Sequence, residues 1–109
     1  MGKDRIIKLI ANLIGKSTTH KILVKYTNMP ESINHMLSEI DNYRGQLSEH
    51  IIQYNWNIYD KQKIMEEAEK SLNKELKKEH FNNVTFPNSV KIKFLDETIG
   101  DFFDFKHSC

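Results

Sequence analysis

Residues Ile33–Tyr54 read INHMLSEIDNYRGQLSEHIIQY, and this stretch decides the fold class. Ile33, Met36, Leu37, Ile40, Tyr43, Leu47, Ile51 and Tyr54 recur at intervals of three and four. That period belongs to one face of an amphipathic helix. Arg44 falls inside the same stripe, between Leu37, Ile40, Leu47 and Ile51, at about 100° of rotation per residue. A guanidinium keeps its proton, so an arginine on a core face is expected to need a carboxylate, carbonyls or an anion beside it.

Outward from this helix, more helices follow. Asp4–Ile14 carries Ile6, Leu9, Ile10, Leu13 and Ile14 on one side, with Asp4 suiting the positive end of the helix dipole. Gly15 reads as a helix stop and Ser17 as the cap of a second helix, Thr18–Thr27, burying Thr19, Ile22, Leu23 and Tyr26. Asn28, Pro30 and Glu31 then open the long helix, which is expected to reach Gln53. The aromatic run Tyr54–Tyr59 reads as a corner, with Asn57 or Asp60 capping a helix over Ile58–Glu79. Its narrow stripe is Met65, Ala68, Leu72 and Leu76, and Glu66 faces Lys70 at favourable spacing. Gly45, on the solvent side of the long helix, is expected to lower stability a little.

The last thirty residues hold all six phenylalanines. Val84–Phe86 and Val90–Phe94 alternate as strands would, whereas Val90, Phe94, Leu95, Ile99, Phe102 and Phe103 also share a helical face. Periodicity supports both a hairpin and a short helix. The adopted reading is an extended stretch over 82–89 and a helix near 90–103. An exposed 94–105 segment would make a docking tail, and a packed one would close the core. The expectation is therefore a mainly α, compact four-helix bundle-like domain spanning residues 1–109, with a C-terminal aromatic segment.

Composition excludes several classes. With 39% hydrophobic and 28% charged residues, the 109-residue chain has the makeup of an ordinary globular domain. One cysteine, Cys109, permits no internal disulfide and points to a reducing, cytoplasmic setting. No run approaches the roughly 20 apolar residues that span a bilayer. The net charge of +1 hides an uneven distribution: residues 1–27 carry +5 and residues 28–60 carry −4. The basic part either faces a nucleic acid or an anionic lipid headgroup, or packs beside the acidic part.

Candidate chemistry is sparse. Gly15-Lys16-Ser17 ends like a phosphate-binding loop, but Ile10 stands where that motif needs glycine. His35 and Glu39 share a helix face and could supply two metal ligands; His50 lies about 22 Å further along the axis and does not complete the set. Zinc-type Cys and His spacing is missing. Arg44 and His50, separated by five residues, resemble the Arg and His pair of HEPN-type helical ribonucleases. That resemblance implies phosphate stabilisation by Arg44 and proton transfer by His50. The first three helices also allow a nucleic-acid-binding helix-turn-helix, with the long acidic helix in the recognition position and the alternating Val84–Phe94 region as a wing. The reading adopted is a small non-enzymatic interaction or regulatory module without catalytic, cofactor-binding or metal residues. Its expected partner is another protein or a second copy of itself, through the long helix and the one after it.

Overall fold

The computed structural model describes residues 2–27, 29–78 and 86–102. They form α1 (Gly2–Tyr26), a short 3-10 turn (Pro30–Ser32), α2 (Ile33–Ile51), α3 (Ile58–Glu75) and α4 (Asn88–Gly100). No strand occurs among the described residues. The mainly α, bundle-like expectation is met, but the arrangement has a feature the sequence concealed.

Residues 2–26 are one continuous helix, so the expected stop at Gly15 and the fresh start at Ser17 do not exist. Two physical reasons account for this. First, Thr18 and Thr19 donate their hydroxyls back to the carbonyls of Ile14 and Gly15, at 2.8 and 2.7 Å. These bonds within the helix let both residues sit buried in mid-helix instead of capping it. Second, Gly15 is used for proximity. A Cβ at this position would lie 2.5 Å from Ser71 Oγ, 2.8 Å from Ser71 Cβ and 3.1 Å from the Leu72 backbone nitrogen. Glycine is therefore the residue that lets α1 and α3 cross closely, a role unrelated to ending a helix.

α1 is the central element, and α2, α3 and α4 each pack against it. Direction follows from paired residues. Lys3 meets Asp60, Asp4 meets Lys63 and Gly15 meets Ser71, so α3 runs parallel to α1. His20 meets Tyr43, and Lys3 lies over Trp56 just beyond α2, so α2 runs antiparallel. Lys25 lies over Phe94 while Lys21 reaches Thr98 and Asp101, so α4 is antiparallel along the C-terminal half of α1. The core is Ile7, Ile10, Ile14 and Ile22 of α1 with Met36 and Leu47 of α2, Ile64, Ala68 and Leu72 of α3, and Leu95 and Ile99 of α4. Burial of each large side chain contributes roughly 1.5–3 kcal/mol.

Boundaries and faces shift in detail. α2 buries Met36, Ile40 and Leu47, a narrower seam than expected, and Leu37 is exposed. In α3 the seam is Ile64, Ala68 and Leu72, which turns Met65 outward. On α1, Ile7 is buried and Leu9 is largely exposed. The residues Val90–Phe94 belong to α4, so the helical reading holds there and the strand reading does not. Phe94 and Phe102 pack against the core, so residues 94–102 close the bundle instead of extending as a tail. The proposed cap Asn28 and the expectations for 82–85, Phe81, Phe103, Phe105 and Cys109 lie outside the described residues.

The glycines give opposite predictions. Gly15→Ala should destabilise the fold, because overpacking of about 1–3 kcal/mol outweighs a helix-propensity gain of about 1 kcal/mol. In a Ser71→Gly background the penalty should shrink, as a double-mutant cycle by urea denaturation would register. Equal penalties in both backgrounds would remove the steric account. Gly45 has open space around its Cβ position, so Gly45→Ala should stabilise by roughly 0.5–1 kcal/mol in the same assay.

Candidate interaction surfaces

The α2–α3 corner is built from local sequence signals. Asn57 accepts a hydrogen bond from the Asp60 backbone N–H at 2.8 Å, and Asp60 accepts from the Asn57 N–H at 3.2 Å. The two candidate caps thus act together as a reciprocal capping box. Trp56 donates its indole N–H to the Ile51 carbonyl at 2.7 Å, folding the corner back onto the end of α2. Lys3 stands 5.5 Å from the Trp56 ring centre and 2.7 Å from Asp60, which fastens the corner to α1. The Asp60 carboxyl is held below its ordinary range, chiefly by the hydrogen bond from Lys3; partial burial opposes this, and the Asn57 N–H adds to it.

This pinned corner displays apolar surface. Ile52 is 82% exposed, Tyr59 78%, Ile58 51% and Tyr54 37%, all within eight residues. Met65, turned outward about two turns beyond Ile58 along α3, extends the same side. Beside it, Gln62, Met65, Glu66, Glu69, Lys70 and Asn73 line a depression of about 550 Å³. Its lining mixes both charge signs and brings no acid–base pair to one point.

The residues considered for chemistry are dispersed. Arg44 is exposed, and no ion pair or hydrogen bond is found for it among the described residues. The seam of α2 runs through Met36, Ile40, Tyr43 and Leu47, and Arg44 sits on its flank beside exposed Leu37, so burial is avoided. His50 is half-buried, with Nδ1 shielded and unpartnered. Six helical positions separate the two, which places them about 120° apart around α2. His35 and Glu39 do meet, with His35 Nε2 3.4 Å from the carboxylate and the histidine well exposed. No group of three or more His, Cys, Asp or Glu suited to a metal occurs among the described residues. Lys70 pairs with Glu67 at 3.2 Å, not with Glu66. The helix-turn-helix expectation lacks its first turn, because residues 2–26 form one rod.

A polar junction also forms where α1, α2 and α3 converge. The His20 and Tyr43 rings meet edge to face at 5.3 Å, and His20 Nδ1 contacts the Lys16 carbonyl at 2.8 Å. Burial, reinforced by the Glu39 and Glu75 carboxylates, pushes the Tyr43 phenol above its ordinary range. A phenol in this state stays protonated and serves packing. Sequence reasoning missed this junction because its members come from three helices.

Comparison with protein families, curated proteins and solved structures finds no match for this chain. No helix among the described residues is long and apolar enough to cross a membrane.

The Asp60 contacts predict a pH dependence. A folded-state carboxyl held low contributes stability above the unfolded value near about 4, and loses it as pH falls through the lowered value. Asp60→Asn should therefore lower Tm at neutral pH and have a smaller effect near pH 3. Circular-dichroism melts giving the same difference at both pH values would contradict the linkage.

Proposed function

We propose that this chain works as a small non-enzymatic interaction module that self-associates through the α2–α3 corner. The observation supporting the reading is the cluster of four exposed large apolar side chains within residues 52–59. Large aromatic and aliphatic residues held in a fixed geometry suit an interface, since little side-chain freedom is lost on binding. Trp56 and the capping box supply that fixed geometry here. A second copy fits the rim. Glu66, Glu69 and Lys70 lie along the outward side of α3, so an isologous pairing of two α3 helices sets opposite charges against one another. We place the module in a reducing, cytoplasmic setting, in keeping with its single cysteine.

Sedimentation over a concentration series tests the reading. The mass should rise from one chain toward two, and Ile52→Ser combined with Tyr59→Ser should hold it at one chain with little change in helicity. A mass of one chain at every concentration would remove self-association. A dimer untouched by the double substitution would remove the corner as its interface.

A further inference from the structure

A second surface lies on α1 and α3, away from the apolar corner. Along its N-terminal half α1 is covered by α2 and α3, and its open face there presents Arg5, Lys8, Leu9, Asn12 and Lys16, all exposed. These positions recur at helical spacing and run about 16 Å along the axis. No ion pair is found for Arg5, Lys8 or Lys16 among the described residues. α3 adds a second row. Lys63, Lys70 and Lys74 are seven and four residues apart on one exposed face. The Lys63–Asp4 ion pair at 3.2 Å and the close approach of Ser71 to Gly15 set that row beside the first. Of the nearby acids, Asp4 and Glu67 are engaged by Lys63 and Lys70, and exposed Glu66 lies one turn before Lys70. Arg5, Lys8, Lys16 and Lys74, with no ion pair of their own among the described residues, outnumber Glu66 and leave this side net positive.

We propose that this α1–α3 face is a sequence-independent docking surface for the phosphate backbone of a nucleic acid. Charge complementarity carries the assignment: parallel rows of cations, with Asn12 as a further donor, match a regularly spaced polyanion. An anionic bilayer fits less well. A helix lying on a membrane inserts a broad apolar face, whereas this row offers Leu9 as its apolar member and the apolar side of α1 is covered by three helices. The exposed Ile and Tyr cluster sits at the corner instead. Base reading is not part of the proposal, because the row consists of long flexible cations that contact phosphates without sequence information.

Fluorescence anisotropy with labelled mixed-sequence duplex DNA and with single-stranded RNA of equal length tests this on the full chain. Four phosphate contacts predict that affinity falls roughly 150-fold for the duplex, or roughly 50-fold for the single strand, between about 50 and 200 mM salt. The form bound more tightly at equal salt is the one held. Lys8→Glu, Lys16→Glu and Lys74→Glu together should weaken binding at least about tenfold. Lys93→Glu, the same charge change on α4 across the bundle, should do much less than Lys8→Glu. Should the triple variant melt early, Lys8→Gln and Lys16→Gln singly should each reduce the salt slope by about one. Ile52→Ser with Tyr59→Ser should leave nucleic-acid binding intact, which separates this surface from the corner. Affinity indifferent to salt, binding unaffected by the lysine variants, or capture by phosphatidylserine vesicles with no nucleic-acid binding would each overturn the proposal.

Discussion

The close crossing of α1 and α3 at Gly15 is the constraint on which the rest of this structure depends. α2, α3 and α4 all pack against α1, so it must be unbroken to give each neighbour a continuous face. At the crossing, the Ser71 side chain occupies the space where any other residue at position 15 would place its Cβ. Interiors packed at native density leave no slack for such a change. The register fixed there also sets Lys3 against Asp60 and Asp4 against Lys63 at one end of the bundle. At the other end α4 is held by Lys21, which donates to Thr98 at 2.9 Å, and by the packing of Lys25 over Phe94.

Both proposed surfaces are by-products of that arrangement. Because α3 runs parallel to α1 with its start beside Lys3, the α2–α3 connection lies at the end of the bundle, where Ile52, Ile58 and Tyr59 are exposed. Because α4 spans residues near Lys21 and Lys25 of α1 and not the far face, the row from Arg5 to Lys16 stays in solvent. One surface is apolar and rigidly framed; the other is cationic and built from long side chains. They suit different partners and meet at Lys70, which borders both.

Local signals in the sequence translated well, and non-local ones did not. A cap at Asn57 or Asp60 was legible because the signal is local, and the structure joins the two as a reciprocal capping box. The start of α4 lies two residues from the expected position because helix ends are set by small differences. Gly15 misled because glycine marks both helix ends and close approaches, and the deciding neighbour, Ser71, is 56 positions away. Arg44 misled because the expected stripe on α2 was broader than the true seam, which a single covering helix makes narrow. The charge on residues 1–27 was visible from composition, but which cations are left unpaired depends on Asp4, Asp60 and Asp101 in three dimensions. The exposed corner was readable as a corner, and its exposure was not.

The central claim is that α1 is one helix, folded as a unit around its crossing with α3. Native-state hydrogen exchange at the backbone amides of Gly15, Lys16, Ser17, Thr18 and Thr19 tests this most directly. The account predicts that these amides exchange as slowly as those of Ile10 and Ile22, through the same global opening. Fast exchange confined to residues 15–19, with slow exchange on both sides, would mean two helices joined by a turn and would contradict it.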